Sequence, residues 1–206
     1  MADINFSDFW DEMYLQGKHL EFWEESSVSA DFLSAVDCLG LQPDSSVLDI
    51  GCGSGLEACE LAAIGYQVHG IDISPEAIRL AGERARSLNL SIGFRRGNAL
   101  QLPYAAGSFD LLTDRGCLHL IPHGKWPQFA AETLRVLRPA GRLLLRGCSD
   151  VGNPDFHALS TDMVEVHFGS AGWQLLELSR TRLANRHGGL PGLQLLLGPA
   201  SQPSPR

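Results

Sequence analysis

An acid, three glycines at alternate positions and a second acid follow one another between Asp49 and Asp72: Asp49, Gly51, Gly53, Gly55, Asp72. Glycine lets a backbone turn tightly and approach a ligand closely. An acid ending the next strand is placed to accept hydrogen bonds from ribose hydroxyls. The chemistry implied is the binding of a nucleoside. A second group of reactive types stands farther along, at Asp114, Arg115, Cys117 and His119. Asp114 and His119 are the candidates for a general base, with His123 behind them. Arg115 is the candidate for holding an anionic group.

These residues need strands and helices to bring them together. The apolar runs Val47–Ile50 and Val68–Ile73 read as strands, with the glycine turn and a helical segment, Leu56–Ile64, between them. That is half of a nucleotide-binding βαβ unit. A dinucleotide fingerprint would need glycine where Leu56 stands, and no Gly-Lys-Ser/Thr phosphate loop occurs. Ser74-Pro75 opens a helix running to about Leu88. Further strands are expected at Ser91–Arg96, Phe109–Thr113 and Gly141–Gly147. Trp126, Phe129, Ala130, Thr133, Leu134 and Leu137 recur on one face of a helix over Lys125–Leu137. The fourth strand delivers Asp114–His119 to its carboxyl end, where open α/β sheets bind ligands.

A further helix is expected over Thr161–Ala171, then strands over Trp173–Leu183 and Leu190–Leu197. The gap between those strands is too short for a helical crossover, so they form an antiparallel hairpin. Before the first strand, Ser7 is placed to cap a helix carrying Trp10, Met13 and Tyr14 on one face, stopped by Gly17. A second helix spans Ser29–Leu39. The fold expected is α/β: a Rossmann-like, mostly parallel seven-stranded sheet with a C-terminal antiparallel hairpin and helices on both faces. Residues 1–198 form one domain, with 1–42 as a helical lid segment. The tail, 199–206, reads as disordered.

Composition narrows the function classes. The 206 residues suit a single domain with a sizeable core. A net charge of -8 argues against nucleic acid as partner. No apolar run approaches a membrane span, and the N-terminus lacks a signal-peptide core. Five scattered cysteines without a Cys-x-x-Cys pair favour reduced thiols in a cytoplasm and no metal.

The run from Asp49 to Asp72 resembles motif I of the class I S-adenosylmethionine (SAM) methyltransferases, an acidic strand end followed by G-x-G-x-G. Trp10–Lys18, Asn98–Pro103, Phe109–Gly116 and Arg186-His187 resemble the thiopurine methyltransferase-like branch, itself similar to the tellurite-resistance methyltransferases. In that branch a tryptophan stands at the place of Tyr14, a glutamate at that of Asp72 and a serine at that of Asn98. The resemblance implies SAM as cofactor and S-adenosylhomocysteine as product. It implies cofactor contacts at Asp49, Gly51, Cys52, Gly53, Gly55, Asp72 and Ile73, and adenine contacts at Asn98 and Ala99. Trp10, Tyr14 and Arg115 take cofactor roles by the same match.

The favoured acceptor is a small molecule bearing a thiol or another soft heteroatom, methylated by in-line displacement. A thiolate or selenolate needs no base, whereas an oxygen or nitrogen acceptor usually does. The alternatives are an O- or N-methyltransferase of a small metabolite or macromolecule, and a non-catalytic SAM-binding module. The sequence leaves the acceptor and the oligomeric state open.

Overall fold

The computed structural model describes residues 6–149, 156–183 and 189–200. Seven strands form one sheet in the order β3-β2-β1-β4-β5-β7-β6. They are β1 (Ser46–Ile50), β2 (Gln67–Asp72), β3 (Gly93–Arg96), β4 (Phe109–Arg115), β5 (Leu137–Cys148), β6 (Trp173–Leu183) and β7 (Leu190–Pro199). β1 to β5 are parallel, and β7 lies antiparallel between β5 and β6. The seven strands and the closing hairpin are those expected.

Side chains alternate across the sheet, and its central strands β1, β4 and β5 are packed on both faces. Val47, Leu111 and Leu144 face α3 (Ala30–Cys38) and α4 (Leu56–Ile64), which bring Phe32, Val36, Ala58 and Leu61. Leu48, Ile50, Leu112, Leu143 and Leu145 face α6 (Trp126–Val136) and α7 (Thr161–Phe168), which bring Trp126, Phe129 and Phe168. α5 (Pro75–Ser87) begins as expected, with Ser74 Oγ accepting from the Ala77 amide at 3.0 Å. Ser29 likewise caps α3.

Three expectations need correction. β5 starts at Leu137 rather than Gly141: its first residues pair beside β4 across a register shift between Phe109 and Leu111, where an irregular ladder accommodates Pro139. Helix α7 ends at Phe168, and a 3-10 turn covers Gly169–Ala171. In α1 (Phe6–Leu15), Ser7 does not cap the helix. It lies in the first turn, with its hydroxyl donating to the Ile73 carbonyl at 3.1 Å. After Gly17, with φ +69°, a short α2 (Lys18–Phe22) follows that the sequence reading lacked.

Among the described residues no helix is long and apolar enough to cross a membrane. Among the same residues no three His, Cys, Asp or Glu side chains are grouped to hold a metal ion. Arg186 and His187, and the tail from 201, lie outside the described residues.

Candidate functional site

The loop after β1 is shaped by its glycines and by β2. Gly51 and Gly53 adopt φ of +66° and +52°. The amides of Gly51 and Cys52 both donate to the Ile71 carbonyl, at 2.8 and 3.0 Å. The Gly53 amide donates to Asp72 Oδ2 at 2.9 Å, and the Ser74 amide donates to Asp72 Oδ1 at 2.9 Å. Asp72 therefore ties the loop to the start of α5. Each carboxylate oxygen accepts more than one hydrogen bond, so acceptor capacity remains on the cavity side. Burial raises the Asp72 pKa, and the Ser74, Gly53 and Ile73 amides oppose that rise. Behind the loop, Asp49 is buried and accepts from Thr113 Oγ1 at 3.1 Å.

A cavity of about 530 Å³ opens at the carboxyl ends of β1, β2 and β4. Its wall includes Trp10, Tyr14, Asp49, Gly51, Cys52, Gly53, Asp72, Ile73, Asn98, Ala99, Arg115 and His119. The structure thus gathers twelve sequence-expected site residues at one cavity. Gly55 and Asp114 are not in the wall. Gly55 starts α4 with φ +78°, and an added β-carbon would meet Ala81 and Phe94 at 2.9 Å, so this glycine serves helix packing.

Asp114 lies wholly buried beneath the floor. Its Oδ1 accepts from the Cys117 amide and its Oδ2 from the Leu118 amide, both at 3.0 Å, capping the 3-10 turn at Leu118–Leu120. Burial pushes its pKa up to about 7 against those two hydrogen bonds. Its two oxygens serve as a turn cap, and the carboxyl is closed off from the cavity.

His119 does line the cavity, yet its Nδ1 accepts from the Cys148 amide at 2.8 Å. The neutral ring then carries its proton on Nε2 and has no lone pair left to take one. Burial, with Arg115 and His157 nearby, lowers its pKa to about 4. At neutral pH His119 presents a hydrogen-bond donor to the cavity.

Arg115 lines the cavity and is held by partners within the chain. It pairs with Glu25, donates from Nη1 to the Trp23 carbonyl at 3.1 Å, and has Nε 3.8 Å from Glu57. Its guanidinium clamps the segment after α2 to the end of β4. A second clamp lies beside it. Arg84 pairs with Glu24 and donates to Ser54 Oγ at 2.8 Å, and that hydroxyl donates to Glu24 at 2.6 Å. Asn98 is used locally too, its Oδ1 accepting from the Leu100 amide at 2.8 Å, which leaves its N–H groups as the donors it can offer.

Helix α1 closes the other side. Ser7 reaches Ile73, and Asp11 accepts from Ser74 Oγ at 2.7 Å and from the Glu76 amide at 2.8 Å. Tyr14 is buried against the glycine loop. The sequence reading missed Glu24, Glu25 and Glu57, which supply the clamps, and Phe156, Leu183 and Leu190, which supply apolar wall. The acids gave no signal because their arginine partners lie far along the chain.

Residues 47–141 match the family model of a methyltransferase domain. The 27-O-demethylrifamycin SV methyltransferase of Amycolatopsis mediterranei is 32% identical over 149 residues, covering 68% of this chain and 54% of that protein. The demethylmenaquinone methyltransferase of Deinococcus radiodurans is 39% identical over 115 residues, 54% of this chain and 46% of that protein. The chain spans about half the length of these curated relatives. A structure solved in work on the conversion of a disulfide bond into a thioacetal group during echinomycin biosynthesis superposes with a TM-score of 0.83. It is 22% identical and covers 97% of this chain and 95% of that one. A SAM-dependent methyltransferase from Methanosarcina mazei superposes with a TM-score of 0.73 at 24% identity, over 85% of this chain and 100% of that one. These two likenesses establish the fold.

Proposed function

We propose, from the methyltransferase domain at residues 47–141, that this chain transfers a methyl group from SAM to a small-molecule acceptor. The observation that carries the reading is the convergence of the glycine loop, Asp72 and the Asn98 turn on one cavity roofed by Tyr14. The residues fit the cofactor. Gly51–Gly53 offer close-approach backbone where a β-carbon would collide with Cys117 or Tyr14. Asp72 retains acceptor capacity for ribose hydroxyls, and Ile73, Ala99 and the Asn98 amide form an apolar slot with a hydrogen-bonding edge for adenine.

SAM supplies, when bound, a methyl group on a sulfonium that is already a good leaving group. The chain's own work is then to orient the acceptor in line and to exclude water. The aromatic helix α1 and the clamped 23–25 segment serve the second task. The acceptor favoured is a thiol or another soft heteroatom. In support, each described acid in the wall is engaged: Glu24 and Glu25 by arginines, Glu57 by Arg146, Asp49 by Thr113, and Asp72 by two amides. His119 offers a donor and no lone pair. Nucleophiles that ionise readily or carry a polarisable lone pair suit such a wall.

A second reading, a hydroxyl acceptor, is favoured by the name of the Amycolatopsis relative. The two are separated by titrating the protein with SAM and then assaying methyl transfer from labelled SAM to matched thiols, selenols, phenols and amines. Turnover confined to sulfur and selenium supports the first reading. Turnover of phenols with a base-catalysed pH profile supports the second. Absence of SAM binding overturns both.

A further inference from the structure

Helix α1 departs from an ordinary surface helix, which buries its apolar stripe and exposes its polar one, because two of the three residues that dock it are polar. Its docked face is Ser7, Asp11 and Tyr14, spaced four and three apart. Ser7 and Asp11 are held to Ile73, Ser74 and Glu76 by hydrogen bonds, and Tyr14 is buried against the glycine loop. Two of its aromatic side chains are left outward: Phe6 and Phe9 are each 44% exposed, and each ring meets Trp10 edge to face. Phe22, at the end of α2, is 46% exposed. Neighbouring exposed aromatic side chains of this kind mark a binding surface more often than chance.

This face is continuous with the cavity. Phe6, Trp10, Phe22 and Trp23 all belong to the cavity wall, and Phe9 lies just outside it. The rings form an unbroken edge-to-face run from solvent to the loop. Phe9 contacts Trp10 at 5.2 Å between centroids, Trp10 contacts Trp23 at 5.6 Å, and Trp23 contacts Tyr14 at 5.6 Å. Tyr14 ends the run at Gly53. A hydrocarbon or aryl chain leaving the cavity has an apolar track to follow.

We propose that the acceptor is an elongated apolar molecule, its reactive heteroatom inside the cavity and its hydrocarbon or aryl tail lying outward along Phe6, Phe9 and Trp10. The inference rests on the methyltransferase reading of the same cavity and adds the class of acceptor to it. A compact polar acceptor would leave this face in water, whereas a tail covers it at the moment of binding.

The test uses the full chain with n-alkanethiols from ethyl to dodecyl, each below its aqueous solubility limit. Binding in the presence of S-adenosylhomocysteine is read from tryptophan fluorescence, and transfer from labelled SAM. Affinity is expected to rise about fourfold per methylene, the factor given by the transfer free energy of a buried methylene, and to keep rising for the longest chains. Phe9→Ser should flatten that rise for the long members and leave ethanethiol unchanged. Affinity that levels off at short chains in wild type, or a dodecyl affinity unmoved by Phe9→Ser, overturns the proposal. So does sedimentation showing that wild type is a dimer and Phe9→Ser a monomer, which assigns the face to a second copy. Binding of neutral lipid vesicles lost in Phe9→Ser assigns it to a membrane surface and overturns it too. If chain-length-dependent binding appears without methyl transfer to any thiol, the tail track stands and the soft-acceptor reading fails.

Discussion

The Tyr14 hydroxyl stands 2.5 Å from the point a β-carbon on Gly53 would occupy. The residue that roofs the cavity and the glycine that forms its floor are fitted to each other, across 39 positions of sequence. The Gly53 backbone, at φ +52°, is also in the left-handed region that L side chains enter at a cost of about 1–2 kcal/mol. Gly53→Ala should therefore weaken SAM binding by more than tenfold, through both the collision and the backbone. Adding Tyr14→Phe removes the collision, because the next Tyr14 atom is 3.6 Å away, and gives up the hydrogen bond that the hydroxyl accepts from Trp23 Nε1 at 3.4 Å. Calorimetry should show the double variant binding better than Gly53→Ala alone. A double variant that is worse would mean the hydroxyl itself holds the ligand.

Asp72 carries two amides as well as the expected ribose contact. Asp72→Ala should weaken SAM binding by about 1–3 kcal/mol, the cost of stranding hydrogen-bonded groups. Asp72→Asn keeps one acceptor oxygen and serves only one amide, so it should fall between the two. Affinity unchanged in Asp72→Ala would remove the ribose assignment.

The family resemblance assigns Arg115 to the cofactor, and its partners within the chain offer a test of that role. Glu25 and the Trp23 carbonyl hold its guanidinium. If its work is to clamp the 23–25 segment over the cavity, Glu25→Gln and Arg115→Ala should weaken SAM binding alike, each by about three- to thirtyfold, and should not add when combined. If Arg115 instead held the cofactor carboxylate directly, Glu25→Gln would free the guanidinium and tighten binding.

Much of this arrangement was legible in the chain. Apolar runs and glycine spacing specify β1, β2 and the turn between them, since each signal is local. The hairpin followed from a gap too short for a helix. What stayed hidden depends on partners distant in sequence. Glu24, Glu25 and Glu57 become clamps only when Arg84, Arg115 and Arg146 arrive from other elements. Asp114 looked like a base because type and position at a strand end suggest one. Its role as a cap emerged only from the amides of Cys117 and Leu118 folding back onto it. The sequence places the aromatic side chains of α1 in a lid segment, and the hydrogen-bonded face opposite Phe6 and Phe9 has no hydrophobic period.

Asp114 and His119 should impose opposite pH dependences on stability. The folded Asp114 has its pKa raised from 3.8 to about 7. Between those values the folded chain keeps a proton that the unfolded chain has lost, so this contribution is full below about pH 4 and is lost as pH rises through 7. The folded His119 has its pKa lowered from 6.5 to about 4. There the unfolded chain takes up the proton, so that contribution is present above 6.5 and declines as pH falls toward 4. Urea unfolding from pH 4 to 8 should show Asp114→Asn losing the decline toward pH 7. His119→Gln, whose amide oxygen can still accept from Cys148, should lose the decline toward pH 4. Each difference is expected to reach a few kcal/mol at most. Profiles parallel to wild type would contradict both assignments.

Arg146 is the buried cation on which the wall beside the glycine loop rests. It is 3% exposed, pairs with Glu57 from the first turn of α4, and lies with its guanidinium carbon 4.1 Å from the centre of the Phe32 ring. Removing one member strands the other charge in an apolar setting, which costs about 3–5 kcal/mol. Glu57→Ala should therefore lower stability by that amount. It should also slacken Arg115, whose Nε lies 3.8 Å from the same carboxylate, so SAM binding falls more than the folded fraction accounts for. Replacing both partners with apolar residues of similar volume, Glu57→Leu with Arg146→Met, strands no charge and should cost much less than the sum of the singles. A double-mutant cycle by urea unfolding measures the difference. Additive losses would mean that the pair contributes packing alone, and that the charge on Arg146 is held by the Phe32 ring without Glu57.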